Sequence, residues 1–135
     1  MSDWKTNPEA TCRDLSELDP AFRAKLTEAM NLAGKAGLGP FVTETRRTPE
    51  RQKLLYNQGR TTPGRKVTWT LESRHLDGTA ADVALKPTAG IGGDDMLSWE
   101  ISYYDWWGMI AKSCGLEWGG DFPHTYDGPH VQMPR

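Results

Sequence analysis

SRHLDGTAADV, Ser73 to Val83, is a polar turn that runs straight into a β-prone run with an aspartate in its middle. Side chains alternate along a strand, so Ala81, Val83 and Leu85 share one face while Ala80, Asp82 and Ala84 share the other. The first set is a core face. The second is a floor of small residues from which a single carboxylate rises, and Gly78 supplies a turn able to swing His75 back over it. A carboxylate taken out of water needs a cation or hydrogen-bond donors around it. Imidazole and carboxylate brought together in this way are good ligands for zinc.

A catalytic zinc takes three protein ligands and keeps an open position. The chain has 3 histidines, which directs the search for a third ligand to His124 and His130. His130 lies in TYDGPHVQM, Thr125 to Met133, where a polar turn again feeds a β-prone run and Asp127 stands just ahead. An acid held close to a metal, but not required as its ligand, is well placed to take a proton from an attacking water. His124 stands in a Pro-rich loop with no strand to fix it and reads as a rim residue.

The remaining elements build outward from these two turns. In DPAFRAKLTEAMNLAGKAG, Asp19 to Gly37, Asp19 is a cap, Pro20 fits a first turn, and Phe22, Leu26, Ala29, Met30 and Ala33 recur at helical spacing. Gly34 or Gly37 ends this helix. PFVTETRR, Pro40 to Arg47, alternates as a short strand, and TPERQKLLYNQG, Thr48 to Gly59, is a second helix with Thr48 as cap and Gly59 as stop. Arg47 is left at the junction. Val67 to Thr70 is β-prone, and KPTAGIGGDDM, Lys86 to Met96, is a Gly-rich connection. SYYDWWGMIAKSCG, Ser102 to Gly115, is a third helix with Trp106, Ile110 and Trp107 as its candidate core residues. After it comes a loop that ends in a strand from His130 to Met133. Short strands, long loops and three helices predict an α+β fold, a small and largely antiparallel sheet covered by helices.

At 135 residues the chain fits one domain, residues 1–135. A formal charge of -2 argues against a nucleic-acid binder, and no window approaches the roughly 20 apolar residues of a membrane span. The first residues carry no apolar signal segment, so the chain is expected to be made and kept soluble in the cytoplasm, and work outside it would need another agent to release it. A monomer is expected. Cys12 and Cys114 match no metal or redox spacing; Cys114 is expected to be a buried free thiol, with a Cys12–Cys114 disulfide as the alternative.

Ser73, His75, Gly78, Ala80 and Asp82 reproduce an S-x-H-x-x-G-x-A-x-D pattern, and WGGDF, Trp118 to Phe122, is followed by DGPHVQ, Asp127 to Gln132. Together they resemble the signature of zinc peptidases that cut peptidoglycan stem peptides, a group that holds D-Ala-D-Ala carboxypeptidases and the L-alanyl-D-glutamate endopeptidases of bacteriophage endolysins. The resemblance runs from about Val42 to Met133. It implies a Hedgehog/DD-peptidase-like fold, zinc held by His75, Asp82 and His130, and Asp127 as general base. The family's upstream arginine, followed by a glutamine, aligns with Arg47 and Gln52, although Glu44-Thr45-Arg46-Arg47 departs from the usual Ser-Gly-aromatic-Arg run and leaves Arg46 as a rival. Arg47 would stabilise the oxyanion or hold a substrate carboxylate; the competing reading is a surface pair with Glu50. Ser73 would hold a substrate carboxylate or simply organise the turn. The implied activity is hydrolysis of the L-Ala-D-Glu bond of the stem peptide, with the D-Ala-D-Ala terminus, or a catalytically silent wall-binding phage component, as alternatives.

Overall fold

The computed structural model describes residues 3–68, 70–87, 98, 100–123 and 125–134. Helix α1 spans Pro20–Lys35, with the Asp19 carboxylate accepting from the Phe22 N–H and Pro20 opening the first turn. Strand β1, Pro40–Glu44, leads within a few residues into helix α2, Pro49–Asn57, which the Thr48 hydroxyl caps through the Arg51 N–H. A single 3-10 turn at Arg74–Leu76 precedes strand β2, Ala80–Leu85. Helix α3 is Ile101–Ser113, and the short strands β3, Glu117–Trp118, and β4, His130–Gln132, follow. Gly37, Gly59 and Gly115 all carry a positive φ just beyond their helices, so α1 runs through Gly34 and it is Gly37 that stops it.

The four strands form one antiparallel sheet in the order β1-β2-β4-β3. This is the expected α+β architecture. Ala81, Val83 and Leu85 of β2, with Val131 and Trp118, are buried beneath α1 and α3, which contribute Phe22, Leu26, Ala29 and Ala33, and Tyr104, Trp107 and Ala111. The apolar stripe of each helix is thus spent on the same sheet face. On the other face the strands align a row of polar residues, because Asp82 of β2 lies opposite Glu44 of β1 and opposite His130 of β4.

Four expectations require correction. Trp107 is fully buried in α3 while Trp106 is 39% exposed, because the buried stripe runs Tyr104, Trp107, Gly108, Ala111, and Trp106 points away from it. Val67 to Thr70 is not a strand among its described residues; its carbonyls are taken by side chains of and beside α2, the Thr70 carbonyl by Gln52 Nε2 at 2.7 Å and the Thr68 carbonyl by Arg60 at 3.1 Å. High β-propensity without a paired neighbouring strand gives no strand. Strand β3 arose inside what the sequence presented as loop, since two residues suffice to pair Trp118 with Val131. Of the two free cysteines, Cys12 is the buried one and Cys114 is only half-buried.

Candidate metal centre

The polar row of the sheet becomes a site through the turn that precedes β2. Ser73 Oγ accepts from the His75 N–H at 3.1 Å and closes the 3-10 turn, and Gly78, at φ 77°, lets the chain double back into Ala80. An added Cβ at Gly78 would lie 2.9 Å from the Glu17 carbonyl oxygen, so the position excludes a side chain on two counts. The result delivers His75 over β2. Its Nε2 lies 3.5 Å from Asp82 Oδ1, and His130 Nδ1 lies 3.4 Å from the same oxygen. The two rings meet edge-on with centroids 5.3 Å apart, and one ligand atom from each of the three residues falls within 4.8 Å of the others.

The tautomers are set from behind. His75 Nδ1 donates to the Thr45 carbonyl at 2.6 Å, which leaves Nε2 with its lone pair facing Asp82. Thr45 is itself pinned to the amino-terminal segment: its N–H donates to the Cys12 carbonyl at 2.7 Å, and its hydroxyl contacts the Cys12 carbonyl and Sγ, both at 3.2 Å. His130 Nε2 meets Gln132 Oε1 at 2.8 Å, so the ring nitrogen turned toward Asp82 is Nδ1. Sequence reasoning missed Thr45, Gln132 and Glu117 as supports; strand alternation around His130 was the one signal that put Gln132 on the same face.

Asp82 Oδ1 and His75 Nε2 are buried and have no hydrogen-bond partner, an arrangement that costs free energy unless a cation completes it. The set of two imidazole nitrogens and one carboxylate oxygen matches a divalent transition metal of borderline softness. The three side chains therefore form a candidate metal site, and the residues present fit the ion. Burial works against the Asp82 carboxylate, but the flanking imidazoles outweigh it and hold its titration well below the usual carboxylate range. Burial likewise works against a charged His130, yet the adjoining Asp82 carboxylate together with the charge of Asp127 moves it upward from 6.5.

Arg47 stands at the edge of this centre. Its guanidinium contacts Asp82 Oδ2 at 3.3 Å, Glu44 Oε1 at 3.1 Å and Gln52 Oε1 at 3.1 Å. It does not serve a surface pair with Glu50. Glu44 is in turn bonded by Arg51, so a buried carboxylate sits between two guanidiniums, a feature the sequence did not announce because it depends on a bulge between Val42 and Glu44 that turns Glu44 inward. Gln52, fully buried, ties Arg47 to the segment 68–70. Arg47, not Arg46, lines the cleft.

That cleft, about 640 Å³, is lined by Arg47, by Lys66, Thr70 and residues 72–75, and by Phe122, Tyr126, Asp127 and His130. Ser73 lines it as well, with its oxygen already accepting from the turn. Asp127 is brought in by a close approach of two backbones: its N–H donates to the Gly119 carbonyl at 3.0 Å, and a Cβ at Gly119 would lie 2.2 Å from the Asp127 carbonyl oxygen. Burial and the charge of Asp82 raise the Asp127 carboxyl, against the pull of His130, His75 and Arg47. His124 lies outside the described residues.

Residues 66–133 match the signature of the D-alanyl-D-alanine carboxypeptidase family, and the chain is 34% identical over 129 residues to the peptidoglycan L-alanyl-D-glutamate endopeptidase CwlK of Bacillus subtilis, covering 87% of this chain and 74% of that one. The chain belongs to the D-alanyl-D-alanine carboxypeptidase family. The family likeness extends to the L-alanyl-D-glutamate peptidase of Listeria phage A118, 27% identical over 120 residues, where the match takes in 89% of this chain but 39% of the phage protein. Among solved structures, the L-Ala D-Glu endopeptidase ChiX of Serratia marcescens superposes with a TM-score of 0.67 at 29% identity, over 92% of this chain and 88% of that chain. The family signature takes in His75, Asp82, Asp127 and His130 but begins downstream of Arg47 and Gln52.

Proposed function

We propose that this chain is a zinc peptidase that hydrolyses the L-Ala-D-Glu bond of peptidoglycan stem peptides. The observation that carries the reading is the triad of buried ligand atoms from His75, Asp82 and His130, two of them unpartnered, opening into a cleft that also holds Arg47 and Asp127. The choice of bond rests on relatives whose names state that specificity.

His75 Nε2, His130 Nδ1 and an Asp82 oxygen would hold the ion. A zinc ion held there would supply Lewis acidity for the scissile carbonyl and for a water that reacts near neutral pH. Asp127 accepts the proton of the attacking water and returns it to the leaving amine; its upward shift brings proton gain closer to working pH, as a shuttle needs. Arg47, locked by Glu44, Gln52 and Asp82, presents a fixed positive charge to the developing oxyanion or to a substrate carboxylate, with little reorganisation during the reaction. Lys66 and Arg74 add positive charge to the cleft wall, which suits stem peptides rich in free carboxylates. An acid outside the ligand set is not needed by a purely structural zinc, which speaks against a silent wall-binding component.

Mass spectrometry of fragments released from defined muropeptides tests the proposal directly. New peptides beginning with D-Glu, formed with zinc and not with chelator, support it. Release of free D-Ala alone would transfer the chain to the carboxypeptidase reading that the family description favours, and no release at all would defeat both.

A further inference from the structure

Beyond the ligand triad, the structure holds a polar chain that leads from solvent to His130. Exposed Glu117 on β3 lies opposite Gln132 on β4, and Gln132 Nε2 donates to Glu117 Oε1 at 2.9 Å. Gln132 Oε1 in turn meets His130 Nε2 at 2.8 Å. A carboxylate accepts hydrogen bonds and cannot donate them when ionised, so Glu117 fixes which end of the Gln132 amide faces it. The amide oxygen then faces His130, which obliges the ring to carry its proton on Nε2 and to aim the Nδ1 lone pair at Asp82.

We infer that Glu117 and Gln132 are positioning residues that select the metal-binding tautomer of His130. The inference rests on the zinc reading above. Without Glu117 the amide is free to turn over and offer a donor to His130 Nε2; the ring answers by moving its proton to Nδ1, where it blocks the ligand position. Partners of this kind typically tune metal affinity by roughly 10- to 100-fold when removed. Glu117 is exposed, so its loss is expected to spare the fold.

Zinc affinity measured by competition with a chromophoric chelator, together with long-range 1H–15N NMR of the His130 ring in the zinc-loaded protein, tests the inference. Glu117→Ala and Gln132→Leu are expected to bind zinc roughly 10- to 100-fold more weakly, with unchanged thermal stability of the metal-free proteins. Gln132→Glu alone sets two carboxylates against each other, whereas Glu117→Gln with Gln132→Glu restores an acceptor at His130 and is expected to recover affinity to within about 3-fold of wild type in a double-mutant cycle. In the wild type the ring proton should reside on Nε2. Zinc affinity unchanged from wild type in Glu117→Ala and Gln132→Leu, failure of the swapped pair to recover, or a wild-type ring protonated on Nδ1 would each overturn the inference while leaving the zinc reading intact. A wild-type protein that takes up no zinc would defeat that underlying reading instead.

Discussion

Asp82 and its two imidazoles show how far single residues can be read. The alternation of small side chains around Asp82, and the Gly78 turn after His75, were visible in the sequence, and the structure brings both histidines within hydrogen-bond range or slightly beyond of one carboxylate oxygen. Glu44 was not legible, because its inward turn comes from a bulge and bulges leave no composition signal. Three outcomes belong at this scale. Asp127→Ala should keep one zinc per chain by elemental analysis while turnover on muropeptides falls by roughly 10²- to 10⁴-fold; near-normal turnover would remove Asp127 from the mechanism. His130→Ala should lose most of the metal, and undiminished zinc content would contradict its place as a ligand. The third concerns pH. In the metal-free protein His130 titrates above 6.5, so its proton stabilises the fold fully below the unfolded value and that contribution fades as pH rises through the folded one. Zinc and that proton compete for Nδ1, so the gain in melting temperature on adding zinc should be larger at about pH 8 than at about pH 6. An increment that shrinks with rising pH would reverse the assignment.

Elements position these residues, and here legibility followed the kind of signal involved. Caps and stops at Asp19, Thr48, Gly37 and Gly59 act locally and fall where the sequence put them. The inward face of α3 did not, because the adjacent candidates Trp106 and Trp107 are both aromatic and only packing against Trp118 and the sheet decides between them. The junction between β1 and α2 carries the Arg47–Glu44–Arg51 cluster, which makes Glu44 the weak point of that junction. Replacing Glu44 by Ala strands two guanidiniums that are mostly out of water and should cost about 3–5 kcal/mol in a denaturant titration. A loss under about 1 kcal/mol would show the cluster to be solvent-screened after all.

At the scale of the whole molecule, one sheet separates two tasks: α1 and α3 take its apolar face, and the opposite face supplies Glu44, Asp82 and His130 as a polar row. The α+β class followed from the count and length of elements. The strand order did not, since β4 inserts between β2 and β3 and that choice depends on long-range pairing. No helix among the described residues is long and apolar enough to cross a membrane. Zinc held as proposed by three residues distant in sequence would bind only the folded arrangement, so chelation should lower the melting temperature of the loaded protein, by an amount that grows with its affinity; identical melts with and without chelator would rule out tight binding. The tether between Thr45 and Cys12, joined by the Pro8 carbonyl accepting from Arg51 at 2.9 Å, has a practical bearing on how this enzyme is shortened. A truncation beginning at α1 would keep every cleft-lining side chain yet release the carbonyl that steadies one imidazole. Trimmed versions should therefore retain the leading segment from Pro8 onward as a brace, even though it does not line the cleft.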